Sequence, residues 1–183
     1  MTKDLATTND AYFATIQNLL ETAQDEADLH DQIVNAPFHD KLASTLLSIG
    51  IITFMLVCKK SGMIDRIGMS DTELAKGAIN MSIKPLESIR IPIRYDDNLI
   101  AKAINKGIPQ ITQDWQYLFN PVLTPEEARF NQAGAGIGCS FVYPLAARDG
   151  AALIFSYYQP LSVIGSEQRD FMQRYSELVA RTL

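Results

Sequence analysis

Two apolar segments joined by a turn occupy residues 139–158, with the sequence CSFVYPLAARDGAALIFSYY. Both segments are rich in aromatic and branched apolar residues, which favour β-strands. They flank Arg148-Asp149-Gly150, whose Asp-Gly pair is typical of a hairpin turn. The pattern therefore predicts antiparallel strands over residues 139–147 and 151–158, followed by a helix that Ser166 caps.

A second hairpin is predicted earlier in the chain. Residues 51–57 (IITFMLV) are almost continuously apolar, as in a central strand. Residues 59–62 form a turn, and residues 63–69 return as the partner strand.

Shorter elements are predicted between the two hairpins. After a short helix, residues 90–95 form a strand in which Pro92 indicates a sheet edge. Asp96 or Asp97 caps the next helix, which Gly107 ends. The order of elements along the chain predicts an α+β fold in which an antiparallel sheet packs against terminal helices.

The N-terminal part of the chain differs from the rest in charge. The 183 residues include 16 Lys and Arg against 21 Asp and Glu, a net charge of −5, and within residues 1–40 eight acidic residues stand against Lys3 alone. Apolar residues recur at helical spacing over residues 12–27, which predicts an amphipathic helix. Its apolar face either packs on the main domain or pairs with a second copy of the chain. We expect an N-terminal helical extension over residues 1–37 and a main domain over residues 38–183.

Composition excludes several classes of protein. With 47% hydrophobic and 20% charged residues, the chain is expected to fold as a soluble domain. It has no run dense in Lys and Arg, so no nucleic acid partner is expected, and no apolar window long enough to span a bilayer, so no membrane contact is expected. The two cysteines, Cys58 and Cys139, cannot build a disulfide scaffold. A cytoplasmic location is the simplest expectation.

Motifs for enzyme chemistry are also missing from the sequence. His30 and His39 are its only histidines, and no Ser or Cys nucleophile accompanies them in a recognisable setting. The glycine-rich residues 134–138 do not follow the dinucleotide pattern Gly-x-Gly-x-x-Gly, and no phosphate-binding loop is present. We therefore expect a domain that is not itself catalytic, with no metal and no cofactor.

Three features carry a resemblance to a known family: the hairpin over residues 56–67, the helical stretch 99–107 that leads into a short strand, and the terminal hairpin over residues 140–155. In this order and spacing they make the chain, from about Phe38 to Leu183, resemble a GAF domain. The resemblance implies an antiparallel sheet flanked by helices, with the N-terminal and C-terminal helices packed together on one side.

The resemblance also implies a function. GAF domains are sensory modules that bind small molecules in a pocket over the sheet or serve as dimerisation modules, usually in front of histidine kinases, cyclases, phosphodiesterases or transcription regulators. We therefore expect a sensory input domain, as in two-component systems, that binds an unidentified small molecule. It would form a homodimer through its terminal helices and signal through a ligand-dependent change in their arrangement. A ligand-free dimerisation module is the alternative.

Departures from the family's patterns reduce the number of ligand classes that the resemblance implies. The Asn-Lys pair and the Phe-x-x-x-Asp-Glu motif of many cyclic-nucleotide-binding members have no counterpart at Ser156-Tyr157 and residues 164–169. Both histidines precede the core, so neither a bilin nor a haem is implied. Cys58 and Cys139 match the cysteine set of the free methionine sulfoxide reductases poorly, and that enzyme activity is a third hypothesis.

Aromatic residues in two segments indicate where a ligand would bind. Those within residues 115–131 lie in the segment expected to cover the sheet, and those within residues 139–143 share one strand face by period-two alternation. The predicted ligand-binding residues are Trp115, Tyr117, Phe130, Asn131, Cys139, Phe141 and Tyr143. Such a wall suits a planar or apolar metabolite. The alternative is that these side chains only fill the core.

Overall fold

Six strands form an antiparallel sheet in the computed structural model, which describes residues 2–85, 88–146 and 150–183 and, for residues 2–9, the backbone alone. The strands are β1 (Ile49–Cys58), β2 (Met63–Met69), β3 (Ile91–Pro92), β4 (Gln110–Thr112), β5 (Cys139–Pro144) and β6 (Ala151–Tyr157). Their order across the sheet is β3-β2-β1-β6-β5-β4. Both predicted strand pairs are present, with β1 against β2 and β5 against β6. Arg148 and Asp149 of the predicted second turn lie outside the described residues.

Helices lie on both faces of this sheet. They are α1 (Thr2–Glu21), α2 (Glu26–Asn35), α3 (Leu42–Thr45), α4 (Glu73–Met81), α5 (Leu99–Lys106), α6 (Gln116–Phe119), α7 (Pro125–Gly134) and α8 (Ser166–Thr182). Short 3-10 turns occur at Ala36–Phe38 and Leu161–Val163. Within the described part of the chain, none of the helices combines the length and apolarity needed to cross a membrane.

The long terminal helices cover one face of the sheet. Here α1, α2 and α8 enclose a core rich in aromatic rings, with Tyr143 and Phe155 from the strands facing Phe171 and Tyr175 from α8. The rings of Phe171 and Tyr175 stack with their centroids 5.6 Å apart. The ring of Phe13 on α1 also lies 5.6 Å from Phe171. The predicted α+β fold, with both terminal helices packed together on one side, is confirmed.

The shorter helices α4 to α7 cover the opposite face. The core on this side consists mainly of small and aliphatic residues, among them Ala78, Ile100 and Ala103 from the helices. Because side chains alternate along a strand, Ile154 of β6 faces this core while its neighbour Phe155 faces the terminal helices. The sheet is thus a partition between two separate cores.

The N-terminal region contains two helices where the sequence pattern predicts one. The chain leaves α1 at Glu21 and begins α2 at Glu26, because Asp25 adopts an extended backbone and accepts a hydrogen bond from the Asp28 N–H at 2.9 Å. Both helices bury apolar residues against the sheet of the same chain. No large apolar side chain is exposed among those described on α1, α2 and α8. The division into residues 1–37 and 38–183 stays a prediction.

Two predicted helix caps are displaced along the chain. Asn98, rather than Asp96 or Asp97, caps α5 by accepting hydrogen bonds from two backbone N–H groups of its first turn, at 2.8 and 3.1 Å. The Asn98 amide also donates to a carbonyl near the end of α6 at 2.7 Å, which a carboxylate cannot do. At α8 the capping position is Gly165, and Ser166 is the first helical residue.

The edge strand β3 is shorter than the predicted strand over residues 90–95. Only Ile91 and Pro92 pair with β2. The chain then turns, with the Tyr95 N–H donating to the Pro92 carbonyl at 3.0 Å. Since proline has no N–H for a strand ladder, a strand end at this position is expected.

Candidate ligand-binding site

A partly open cavity of about 60 Å³ lies between the sheet and its shorter helices. Its floor comes from β1, β2 and β6 and consists of Ile51, Thr53, Met55, Arg66, Met69, Ile154 and Ser156. Its roof comes from α4, α6, α7 and adjoining segments and consists of Ala78, Ser82, Ile89, Trp115, Leu118, Phe119 and Asn131. Other concave regions of the described surface are more open grooves. A concave, mostly apolar cleft or cavity with a few polar groups is the usual form of a small-molecule site.

The four residues predicted to cover the ligand divide into two pairs. Trp115 and Asn131 are buried and line the cavity. Tyr117 and Phe130 are 46% and 52% exposed and lie outside it. On α7 the buried side is formed by Ala128 and Asn131, so Phe130 occupies the solvent side of that helix.

The three predicted strand residues lie on the other face of the sheet. Cys139, Phe141 and Tyr143 belong to the core under the terminal helices, so they do not meet Trp115 around one ligand. They do share one face, as the alternation predicts, but their side chains pack in the core beneath α1 and α8. The opposite set of β5 side chains faces the cavity helices, and Ser140 belongs to it.

A chain of hydrogen bonds fixes the Trp115 indole against the sheet. The indole Nε1–H donates to the Ser140 hydroxyl at 3.0 Å, and that hydroxyl lies 2.8 Å from the Ser156 hydroxyl. Both serines are buried, and these hydrogen bonds satisfy their hydroxyl groups within the protein. The small serine side chains leave space above the sheet, and the indole forms a rigid wall of that space.

A second set of hydrogen bonds connects the roof elements at Asn131. Its Oδ1 accepts from the Ile83 N–H at 3.0 Å, and its Nδ2 donates to the Ser82 hydroxyl at 3.3 Å. The Ser82 hydroxyl in turn donates to the Lys84 carbonyl at 2.7 Å. Asn131 thus connects α7 to the segment that follows α4 and stabilises the roof of the cavity. Its contact with a ligand stays a prediction.

The polar side of the cavity floor comes from residues that sequence reasoning missed. A β-bulge in β2 leaves Ile67 without a partner in β1. The extra residue lets Arg66 and Met69, three apart, both face the cavity, although regular alternation would put them on opposite faces. Thr53 of β1 pairs directly with Met69. The sequence feature that could have indicated these floor residues is Thr53, a polar residue in an otherwise apolar central strand.

The two cysteines lie in different environments. Cys139 is fully buried with its thiol 3.3 Å from the Gln159 carbonyl, and burial raises the pKa of that thiol to about 11. At the end of β1, a hydrogen bond from the Ser61 side chain and others from the neighbouring backbone lower the pKa of the Cys58 thiol. Redox catalysis needs an accessible thiolate. Cys139 does not provide one, so it does not suit the catalytic role that the sulfoxide reductase hypothesis requires of a cysteine.

These environments predict a difference in thiol reactivity. We expect iodoacetamide to alkylate Cys58 at least about tenfold faster than Cys139 at pH 7.5, because the thiolate is the reactive form of cysteine. The pKa of the Cys58 thiol is lowered and its side chain is partly exposed, whereas the Cys139 thiol is buried with a raised pKa. A time course of peptide mass spectrometry measures both rates in one sample. In urea-unfolded protein the two rates should converge. Faster labelling of Cys139 in the folded protein would contradict the burial described above.

The two histidines lie on the side of the terminal helices. The His30 ring is 5.2 Å from the Phe54 ring, and His39 stacks on Tyr12 at 5.1 Å. Across residues 2–85, 88–146 and 150–183, His, Cys, Asp and Glu side chains form no group of three or more that could hold a metal ion.

Comparison with known proteins identifies the fold. No protein-family model matches the sequence, and no curated protein matches it. Among solved structures, the GAF domain of an Acinetobacter phosphoenolpyruvate-protein phosphotransferase is similar, with a TM-score of 0.64 and 8% identity, covering 96% of this chain and 92% of that one.

Two further similar structures come from a chemotaxis protein and a phytochrome. Residues 122 to 287 of a methyl-accepting chemotaxis protein have a TM-score of 0.55 and 10% identity, covering 94% of this chain and 95% of that one. The phycoerythrobilin-bound GAF domain of a cyanobacterial phytochrome has a TM-score of 0.57 and 12% identity, covering 94% and 92%. The chain therefore has the GAF fold, as the sequence resemblance predicts.

Proposed function

We propose that this chain is the sensory input domain of a signalling protein, of the histidine kinase or cyclase type, and that it binds a small molecule in the cavity over the sheet. The observation that carries the proposal is the mostly apolar cavity between the sheet and helices α4 to α7, with the Trp115 indole as one of its walls. The similarity to a chemotaxis protein and a phytochrome supports a sensory role. Any catalysis would belong to a different domain.

The size of the cavity limits the ligand. Sites for drug-sized molecules enclose roughly 300–1,000 Å³, whereas this cavity encloses about 60 Å³. The proposed ligand is therefore much smaller than the phycoerythrobilin held by the phytochrome domain, and a few non-hydrogen atoms fill the space.

The proposed output path runs through the sheet to the terminal helices. Ile154 lines the cavity, and the next residue, Phe155, contacts Phe171 and Tyr175 of α8 with ring centroids 6.3 Å apart in both cases. A ligand that prefers one arrangement of β6 shifts the arrangement of α8 by its differential affinity for the two states.

Dimerisation through the terminal helices stays a prediction. The apolar stripes that suggest it in the sequence pack within the chain, against the strands and against each other. The side of α8 that faces solvent carries polar residues such as Arg169, Gln173 and Glu177. A dimer contact on that side would therefore be polar.

A cavity-filling variant tests the proposed function. Ala78→Leu adds three carbons inside the cavity while keeping a good helix former in α4. Gly77→Leu is the matched control, because a Cβ at Gly77 meets open space. The chain has a single tryptophan, so one indole N–H resonance in a ¹H–¹⁵N spectrum reports on the cavity wall.

We expect fractions of a low-molecular-weight cell extract to shift the Trp115 indole resonance and the α8 amides of the original chain and of Gly77→Leu. The same fractions should leave Ala78→Leu unchanged, because leucine occupies the ligand's space. If no fraction shifts these resonances, or if Ala78→Leu responds like the control, the cavity is not a ligand site.

A further inference from the structure

We infer that the cavity over the sheet takes a short, uncharged aliphatic molecule with a single oxygen atom, and that the Thr53 hydroxyl binds this oxygen while the apolar walls surround the carbon chain. This inference rests on the proposed function and deepens it, because it assigns a chemical class to the ligand of the same site.

The first step is the state of Arg66, the one charged residue in the described lining of the cavity. Its Nη1 donates to the Met69 sulfur at 3.5 Å, and the side chain has a further interaction partner. The guanidinium is therefore already engaged by the protein. Because an ion that leaves water for a mostly apolar site needs a partner to compensate its charge, the cavity favours an uncharged ligand.

The second step is the state of the other polar groups in the lining. The Ser156 hydroxyl lies 2.8 Å from the Ser140 hydroxyl beneath the cavity. The Ser82 hydroxyl donates to the Lys84 carbonyl at 2.7 Å and accepts from the Asn131 amide at 3.3 Å. These groups thus bind one another, and their hydrogen bonds hold the floor and the roof in place.

The third step concerns Thr53, the polar side chain of the lining whose hydroxyl makes no hydrogen bond to any of the described residues. Thr53 lies on β1 directly opposite Met69 of β2 and Ile154 of β6, which both line the cavity. Residues opposite one another on antiparallel strands share a face, so all three belong to the floor. A threonine hydroxyl can both donate and accept, so it suits an alcohol or a carbonyl oxygen.

The fourth step is the volume of the cavity and the nature of its walls. At roughly 10–15 Å³ for each water-sized position, a cavity of about 60 Å³ holds roughly four to six such positions. One oxygen with a chain of about three to five carbons fills this number of positions. The walls are mostly apolar, with Met55, Leu118 and Phe119 among them. They suit an aliphatic chain and disfavour a second polar group.

The first test compares three probes of similar size: 1-butanol, butyrate and butylammonium. Each is titrated into the whole chain while the indole resonance of Trp115 in the cavity wall is followed. We expect 1-butanol to bind at least about tenfold more tightly than either ion, because the apolar walls do not replace the water that an ion loses. If butyrate or butylammonium binds as tightly as 1-butanol, the uncharged class is wrong while the cavity remains a ligand site.

The second test removes the Thr53 hydroxyl. Thr53→Val keeps the shape of the side chain, and we expect it to weaken 1-butanol binding about three- to tenfold, the loss of one neutral hydrogen bond. The probe 1-chlorobutane has no hydroxyl, so its affinity should change by less than about twofold in the same variant. Thr15→Val is the matched control, because it makes the same change at an exposed position of α1 and should leave both affinities as they are.

Thr53→Ser keeps the inference testable if Thr53→Val fails to fold. It retains the hydroxyl, so the ratio of the affinities for 1-butanol and 1-chlorobutane should stay that of the original chain. If Thr53→Val affects both probes equally, or if Thr53→Ser changes that ratio as valine does, Thr53 does not bind the oxygen and the inference is wrong. If none of the probes binds, the assigned class is also wrong, and the extract experiment decides separately whether the cavity binds another ligand.

Discussion

Replacing Phe155 with alanine is expected to lower the free energy of unfolding by about 3–5 kcal/mol, the usual loss when a buried aromatic side chain is truncated. Phe155 is fully buried at the centre of the aromatic core. Its ring makes edge contacts with Tyr143, Phe171 and Tyr175, with centroids 5.8, 6.3 and 6.3 Å away. Truncation removes these contacts together, and rigid rings on three sides cannot collapse into the space.

Urea unfolding followed by circular dichroism measures this loss, with Phe130→Ala as the matched control. Phe130 is 52% exposed, so its truncation should change the unfolding free energy by no more than about 0.5 kcal/mol. Equal effects of the two substitutions would show that the aromatic core does not hold the helices to the sheet as described.

Replacing Asn98 with alanine is expected to lower the free energy of unfolding by about 1.5–5 kcal/mol. The estimate combines the loss of a helix cap, about 0.5–2 kcal/mol, with a buried carbonyl left unsatisfied, about 1–3 kcal/mol. Asn98 is fully buried, caps α5 through its oxygen, and donates from its nitrogen to the Leu118 carbonyl at 2.7 Å and the Asn120 carbonyl at 2.9 Å. One side chain therefore joins the start of α5 to the end of α6.

Asn105→Ala is the control for this second substitution, because Asn105 lies on the same helix and makes one exposed hydrogen bond, to the Ile93 carbonyl at 2.9 Å. Its loss should cost less than about 1 kcal/mol. Since Leu118 lines the cavity, Asn98→Ala should also shift the Trp115 indole resonance. A destabilisation no larger than that of Asn105→Ala would mean that the network around Asn98 is not cooperative.

Much of the fold is predictable because two strand pairs and two terminal helices have strong local signals. The apolar run at residues 51–57 and the segments around residues 139–158 produce β1, β5 and β6 with small errors at their ends. The helix starts are harder to predict, because several polar residues stand in a row near each start. Asn98 rather than Asp96 caps α5 since only an amide also donates to α6, a tertiary requirement that no local pattern contains.

The candidate site is less predictable than the fold. Alternation identifies which residues of a strand share a face, but not which of the two faces borders the cavity. Aromatic content and alternation grouped Cys139, Phe141 and Tyr143 as one candidate wall, and their face of the sheet is the one that the terminal helices cover. The position of Arg66 depends on the bulge at Ile67, and a bulge changes the parity of a strand without a distinctive sequence pattern.

Because the sheet separates two cores, substitutions on its two faces have different consequences. Changes at Thr53, Arg66 or Ser156 alter the lining of the cavity, while the rings around Phe155 that hold the terminal helices lie on the far side of the sheet. Substitutions on the cavity face therefore leave the aromatic core beneath the terminal helices in place. The structures that share this fold with the chain at 8–12% identity show how far the sequence can diverge while the fold is kept.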